Sequence, residues 1–65
     1  MKILLADVMY RKSISVRQLS VMSGVPRSTI SDAMNEVHSP TMNNMELFAK
    51  ALKVRITDLF ESEYK

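Results

Sequence analysis

The stretch SVRQLSVMSGVPRSTISDAMN, Ser15 to Asn35, decides the fold. Ser15 is a strong helix N-cap, and Gln18 three residues later completes a capping box. The box starts a helix over about 16–23, with Leu19 as its main core contact. Gly24 falls where the chain must stop and reverse, because a residue without a Cβ enters the left-handed conformation at little cost. Val25 follows as an apolar plug. Pro26, with its fixed φ and no N–H, suits the first position of a second helix over about 26–35. Two short helices joined by a tight turn specify a helix-turn-helix, a unit whose second helix is offered to a nucleic-acid groove.

The second helix divides by face. Ile30, Ala33 and Met34 recur at i, i+3 and i+4 and should pack inward. Arg27, Ser28, Ser31 and Asp32 then face outward, with Thr29 on the flank. A helix of this kind fits the B-DNA major groove. Arg27 can bond guanine in a bidentate way or clamp a phosphate. Ser28 and Thr29 can donate to base edges, and the Thr29 methyl can pack on a thymine methyl. Asp32 can accept from the amino group of cytosine, although near phosphates it is otherwise a repulsive charge. Ser31 and Asn35 are assigned to phosphate. The first helix of the pair should lie across the backbone, with Ser15, Val16 and Arg17 presenting N–H groups and the positive end of the helix dipole.

Outward from this unit the pattern stays helical. Leu4, Leu5, Val8 and Met9 predict an amphipathic first helix over residues 2–12, closed by Ser13. Ser39-Pro40-Thr41 marks a loop, and Thr41 is a candidate N-cap for a helix holding Met45, Phe48, Ala49 and Leu52 at i, i+3, i+4 and i+7. Asn43 and Asn44 open that helix. Asn44 is assigned to phosphate, although capping and solvent exposure explain both residues equally well. Val54, Ile56, Leu59 and Phe60 predict a short fifth helix that closes the core. The tail Glu61 to Lys65 is polar and expected to fray.

A chain of 65 residues makes one domain, here taken as residues 1–65, and buries a modest core. With no cysteine, neither disulfides nor thiolate metal sites can staple it. One glycine and two prolines leave the chain free to form helices. The net charge of +2 is small but unevenly placed. Residues 1–30 hold five basic side chains against Asp7, whereas residues 31–65 hold four against six acids. The basic half contains the two-helix unit, which suits a polyanion approached from one side. An ordinary solvated surface with a chance imbalance explains the charges as well. The start M-K-I-L-L-A-D is cut short by Asp7 before it can form a secretion signal, and no segment is long enough to span a membrane, so the cytoplasm is the default. A lone histidine, His38, and no phosphate-cradling glycine loop leave no catalytic constellation and no implied cofactor or metal. His38 precedes Pro40 in a loop and reads as an ordinary exposed residue, with a phosphate contact as the sharper alternative. Val21 and Met22 are apolar where the helix should be polar, and so extend the core or form a small sticky patch.

The residues Ser15, Leu19, Gly24, Val25, Thr29, Ile30, Ser31, Pro40, Ala49, Leu52, Val54, Leu59 and Phe60 stand in one register without a gap. In this register the chain resembles the Cro/CI-repressor type of helix-turn-helix domain, the XRE family. The resemblance implies an all-α, compact five-helix bundle of the lambda-repressor-like DNA-binding fold, usually acting as a dimer in transcriptional control. Several positions depart from the family pattern. Ser20 and Ser23 stand for small or apolar residues, and their hydroxyls are expected to bond back to carbonyls. Glu36 replaces the glycine that ends the recognition helix, with Asn35 expected to take the left-handed position instead. Lys53 and Arg55 replace a glycine and a capping serine, so that turn should be less well capped. Met9 and Met34 replace the Arg and Glu of a partly buried ion pair, and a Met9–Met34 contact is expected in its place; each methionine simply filling core is the plainer alternative.

Sequence-specific binding of double-stranded DNA by a transcriptional regulator follows as the leading expectation, with a repressor of the phage or mobile-element type as its form and a homodimer as its state. Tyr64 is the better candidate for a dimer seam than Leu59 or Phe60. Two rivals remain: an antitoxin-like module that neutralises a protein partner, and a structural bundle with a vestigial helix-turn-helix.

Overall fold

The computed structural model describes residues 1–65. A short strand β1 (Lys2–Ile3) leads into four α-helices: α1 (Leu5–Arg11), α2 (Val16–Ser23), α3 (Arg27–Met34) and α4 (Met42–Leu52). A 3-10 helix (Ile56–Leu59) and a second strand β2 (Phe60–Glu61) complete the chain. The strands pair antiparallel, Lys2 opposite Glu61 and Ile3 opposite Phe60.

The helical content follows the apolar spacing. Leu5, Val8 and Met9 of α1, Leu19 of α2, Val25 of the turn, Ile30 and Ala33 of α3, Met45, Phe48, Ala49 and Leu52 of α4, and Leu59 form one buried cluster with no polar member. Each large side chain so buried stabilises the fold by roughly 1.5–3 kcal/mol. Phe48 sits fully buried among them. α2 packs against both α3 and α4, so the helix-turn-helix stands on α4 as its base.

The flanks depart from expectation. The first helix begins at Leu5, not at residue 2, because Lys2 and Ile3 are drawn out to pair with β2. The fifth α-helix is absent: four residues, Ile56–Leu59, make a single 3-10 turn, which suffices to bury Leu59. Its start is better capped than Arg55 suggests, since the Asp58 carboxylate accepts from the Arg55 N–H at 3.0 Å. The tail folds back on β2. Lys65 Nζ donates to the Phe60 carbonyl at 3.0 Å and pairs with Glu61 at 3.3 Å.

Candidate nucleic-acid interface

The capping box at α2 forms as its residues dictate. The Gln18 N–H donates to Ser15 Oγ at 3.1 Å, and the Ser15 N–H donates to Gln18 Oε1 at 2.8 Å. This arrangement uses up the Ser15 amide, which is therefore not a free phosphate donor as expected. The N–H groups of Val16 and Arg17 have no partner within the chain. They remain at the positive end of the α2 dipole, with the Arg17 side chain exposed.

The turn is held by two serines. Gly24 is left-handed at φ 77°, and its N–H donates to the Ser20 carbonyl at 2.9 Å. Ser23 Oγ bonds back to the Leu19 carbonyl at 2.6 Å, as expected, and also accepts from the Val25 N–H at 3.2 Å. Ser20 Oγ does not reach back along its helix. It crosses the turn to the Val25 carbonyl at 2.7 Å. Val25, 3% exposed, thus has its N–H and its carbonyl each fixed by a serine while its side chain enters the core. Sequence reasoning had no signal for the crossing bond.

Pro26 is the N-cap of α3, not its first helical residue, with φ −58° and ψ 146°. Having no polar side chain, it caps nothing. The N–H groups of Arg27, Ser28 and Thr29 are consequently all free. The first intrahelical donor is Ile30, to the Pro26 carbonyl at 3.1 Å. Arg27 and Ser28 are exposed at this end, and no acid lies in the first turn. The three-amide cluster escaped the sequence reading, although a proline cap with no side-chain oxygen implies it.

Further along α3 the expected outward face is only partly outward. Ile30 and Ala33 are buried, and Met34, Thr29, Ser31 and Asp32 are all half-buried. Asp32 and Ser31 therefore sit back from the most exposed surface. Asn35 is exposed but keeps right-handed geometry at φ −92°. The left-handed position belongs to Glu36, at φ 55°. Its carboxylate accepts from the Ile3 N–H on the free edge of β1 at 3.0 Å, which ties the far end of α3 to the sheet. At α4, Thr41 Oγ1 caps the helix by accepting from the Asn44 N–H at 3.1 Å, so the Asn44 amide is already used, and the residue is half-buried. His38 and Asn43 are exposed.

Met9 and Met34 line one groove between α1 and α3, together with Ala6, Tyr10, Ile14 and Val16. Met9 is 2% exposed and Met34 packs against the same core. The place of an ion pair is apolar here. The chain's one salt bridge, Lys65–Glu61, lies in the tail. Arg17 and Arg27 thus carry exposed cations with no carboxylate partner, each in the first turn of its helix beside amides that are open.

A family model described as helix-turn-helix matches residues 9–59. Over 54 residues the chain is 37% identical to the HTH-type transcriptional regulator SlrR of Bacillus subtilis (strain 168), a match covering 82% of this chain. The chain spans 36% of the length of that regulator. No solved structure matches it. The matched segment runs from Met9 of α1 to Leu59, so it takes in α2, the Gly24 turn and α3 whole.

Proposed function

Because the chain belongs to the helix-turn-helix family, in its Cro/CI-repressor (XRE) type, we propose that it binds double-stranded DNA and regulates transcription. α3 enters the major groove by its N-terminal end. Arg27 and Ser28 contact base edges, with Thr29 and Asp32 on the flank of the same face. Arg17 and the free amides of Val16 and Arg17 hold phosphate, helped by Ser15, Ser31, Asn35 and Asn44 through their side chains. The observation that carries the reading is the α3 N-terminus, where three unpartnered N–H groups and the unpaired Arg27 converge with no acid in the first turn. The first three amides of α1 are open as well, but Asp7 stands among them; at α3 the open amides stand beside the unpaired Arg27 with no acid, and a phosphate or base acceptor completes them.

The finer form is a repressor of the phage or mobile-element type, acting in the cytoplasm as a homodimer. Its two α3 helices read half-sites about one helical turn apart. Selection of bound duplexes from a random pool tests the reading, and a palindromic motif is expected. On that motif, Arg27→Ala lowers affinity by about 1–3 kcal/mol and relaxes preference at one base pair. Arg17→Ala weakens binding evenly across sequences and reduces the salt slope by about one charge. A pool with no enriched motif, or an Arg27→Ala protein of unchanged affinity, overturns the assignment.

A further inference from the structure

The outer side of the α2–α4 pair carries an apolar surface that neither the core nor the α3 N-terminus uses. Val21 and Met22 on α2 are 81% and 51% exposed, and Leu47 on α4 is 41% exposed. They line two grooves that meet at Met22. One holds Ile14, Arg17, Gln18 and Val21, the other Ser23, Leu47, Lys50 and Ala51. Neighbouring apolar side chains left in water on a small domain mark an interaction surface. A trough between two helices fits the i, i+3, i+4, i+7 anchors of a third, and methionine adapts its shape to such anchors.

Charge identifies the occupant. The only charged residues lining the two grooves are Arg17 and Lys50. Neither is paired, and no carboxylate lines either groove; even Glu46, one helical turn before Lys50, makes no salt bridge to it. A second copy docking by the same face would set cations against cations. A helix bearing carboxylates beside its apolar stripe would neutralise both.

We propose that the α2–α4 face binds an amphipathic, acid-flanked helix of a partner protein, its leucine-like anchors seated on Val21, Met22 and Leu47 and its carboxylates on Arg17 and Lys50. The inference does not rest on DNA binding, although it uses Arg17, to which a phosphate contact is assigned above, so the partner helix and DNA would compete for that side chain; its test contains no DNA.

The probe is a fluorescein-labelled 18-residue helical peptide with leucines at i, i+3, i+4 and i+7 flanked by glutamates, titrated with the intact chain. Two control peptides replace glutamate by lysine or leucine by serine. The acidic peptide is expected to bind at least tenfold more tightly than either control and to shift the amide resonances of Val21, Met22 and Leu47. The surface double variant Val21→Gln, Met22→Gln keeps its helical spectrum and loses at least tenfold in affinity. Arg17→Glu with Lys50→Glu inverts the preference toward the lysine peptide. Equal binding of the acidic and serine peptides, or no shift at those three residues at millimolar peptide, overturns the proposal. Self-association of the chain that disappears in the Val21→Gln, Met22→Gln variant overturns it as well, by making a second copy the occupant.

Discussion

The four helices end in two different ways. α1, α3 and α4 each close with the same pair of bonds. Past α1, the N–H of Ser13 reaches the Tyr10 carbonyl and that of Ile14 reaches Met9. Past α3, Glu36 reaches Ala33 and Val37 reaches Asp32; past α4, Lys53 reaches Lys50 and Val54 reaches Ala49. This is the Schellman closure, and it needs a left-handed residue. Here that residue is Ser13, Glu36 or Lys53, at φ 56°, 55° and 58°, and never glycine. α2 alone ends on glycine, and it alone lacks the second backbone bond. The Val25 amide turns to Ser23 Oγ instead. The chain therefore places its one glycine at the junction that sets the angle of α3, and accepts strain of about 1–2 kcal/mol per site at the others.

The largest effect that can break this contrast is a β-branched side chain at the glycine. Gly24→Val is expected to cost about 2 kcal/mol, roughly 10 °C in the thermal midpoint of a domain this size. The cost is all backbone, since a Cβ built at Gly24 meets no atom within 4 Å. Gly24→Ala should accordingly cost only about 1 kcal/mol. A Gly24→Ala loss of several kcal/mol would mean a steric role for the glycine and would dissolve the comparison.

Next in size is the serine bridge. Ser20→Ala removes the only donor to the Val25 carbonyl and should cost about 1 kcal/mol, read by thermal or urea unfolding. It should also loosen α3 relative to α2, seen as faster amide exchange at Ile30. An unchanged Ser20→Ala protein would show that Gly24 holds the turn without help, which reduces the difference between the two kinds of helix end to the glycine itself.

This contrast also explains what the sequence could and could not reveal. Ser15, Gln18, Gly24 and Thr41 are legible because each acts on its immediate neighbours, and the apolar spacing of Met45, Phe48, Ala49 and Leu52 is legible because it repeats. Local preference ranks Asn first and so points to Asn35, whereas Glu36 takes the left-handed position. Its carboxylate accepts from the Ile3 amide 33 residues away, a contact that no local preference reports. The β1–β2 pairing and the folded-back tail are illegible for the same cause, since two-residue strands carry no periodicity and owe their order to contacts between the chain ends. In the candidate interface, Arg27 and Ser28 are exposed, whereas Ser31 and Asp32 on the same face are half-buried, because a helical wheel assigns a direction but not how closely neighbouring elements crowd that side.

The strained ends give smaller effects of opposite sign. Lys53→Gly and Ser13→Gly replace left-handed residues whose side chains make no hydrogen bond, so each should stabilise the fold by about 0.5–1 kcal/mol. The Lys53→Gly gain should mirror the Gly24→Ala loss, because both measure one Cβ in one backbone conformation.

Glu36 is the case in which the two terms meet. Glycine there relieves about 1 kcal/mol of strain but deletes the carboxylate that accepts from Ile3. That bond is exposed, and water can replace the acceptor, so its net worth is about 0.5–1 kcal/mol. Glu36→Gly should therefore leave stability within about 0.5 kcal/mol of the parent, unlike Lys53→Gly. Glu36→Ala separates the terms. It keeps the left-handed strain and loses only the bond, so it should be destabilising by the worth of the bond. The step from Ala to Gly at this position then returns the strain alone. If Glu36→Gly instead stabilises as much as Lys53→Gly, the carboxylate contributes nothing, and the tie between α3 and β1 is a consequence of the turn. If it destabilises, the side chain outweighs the strain, and the departure from glycine is what anchors the far end of α3 while its N-terminus is left open.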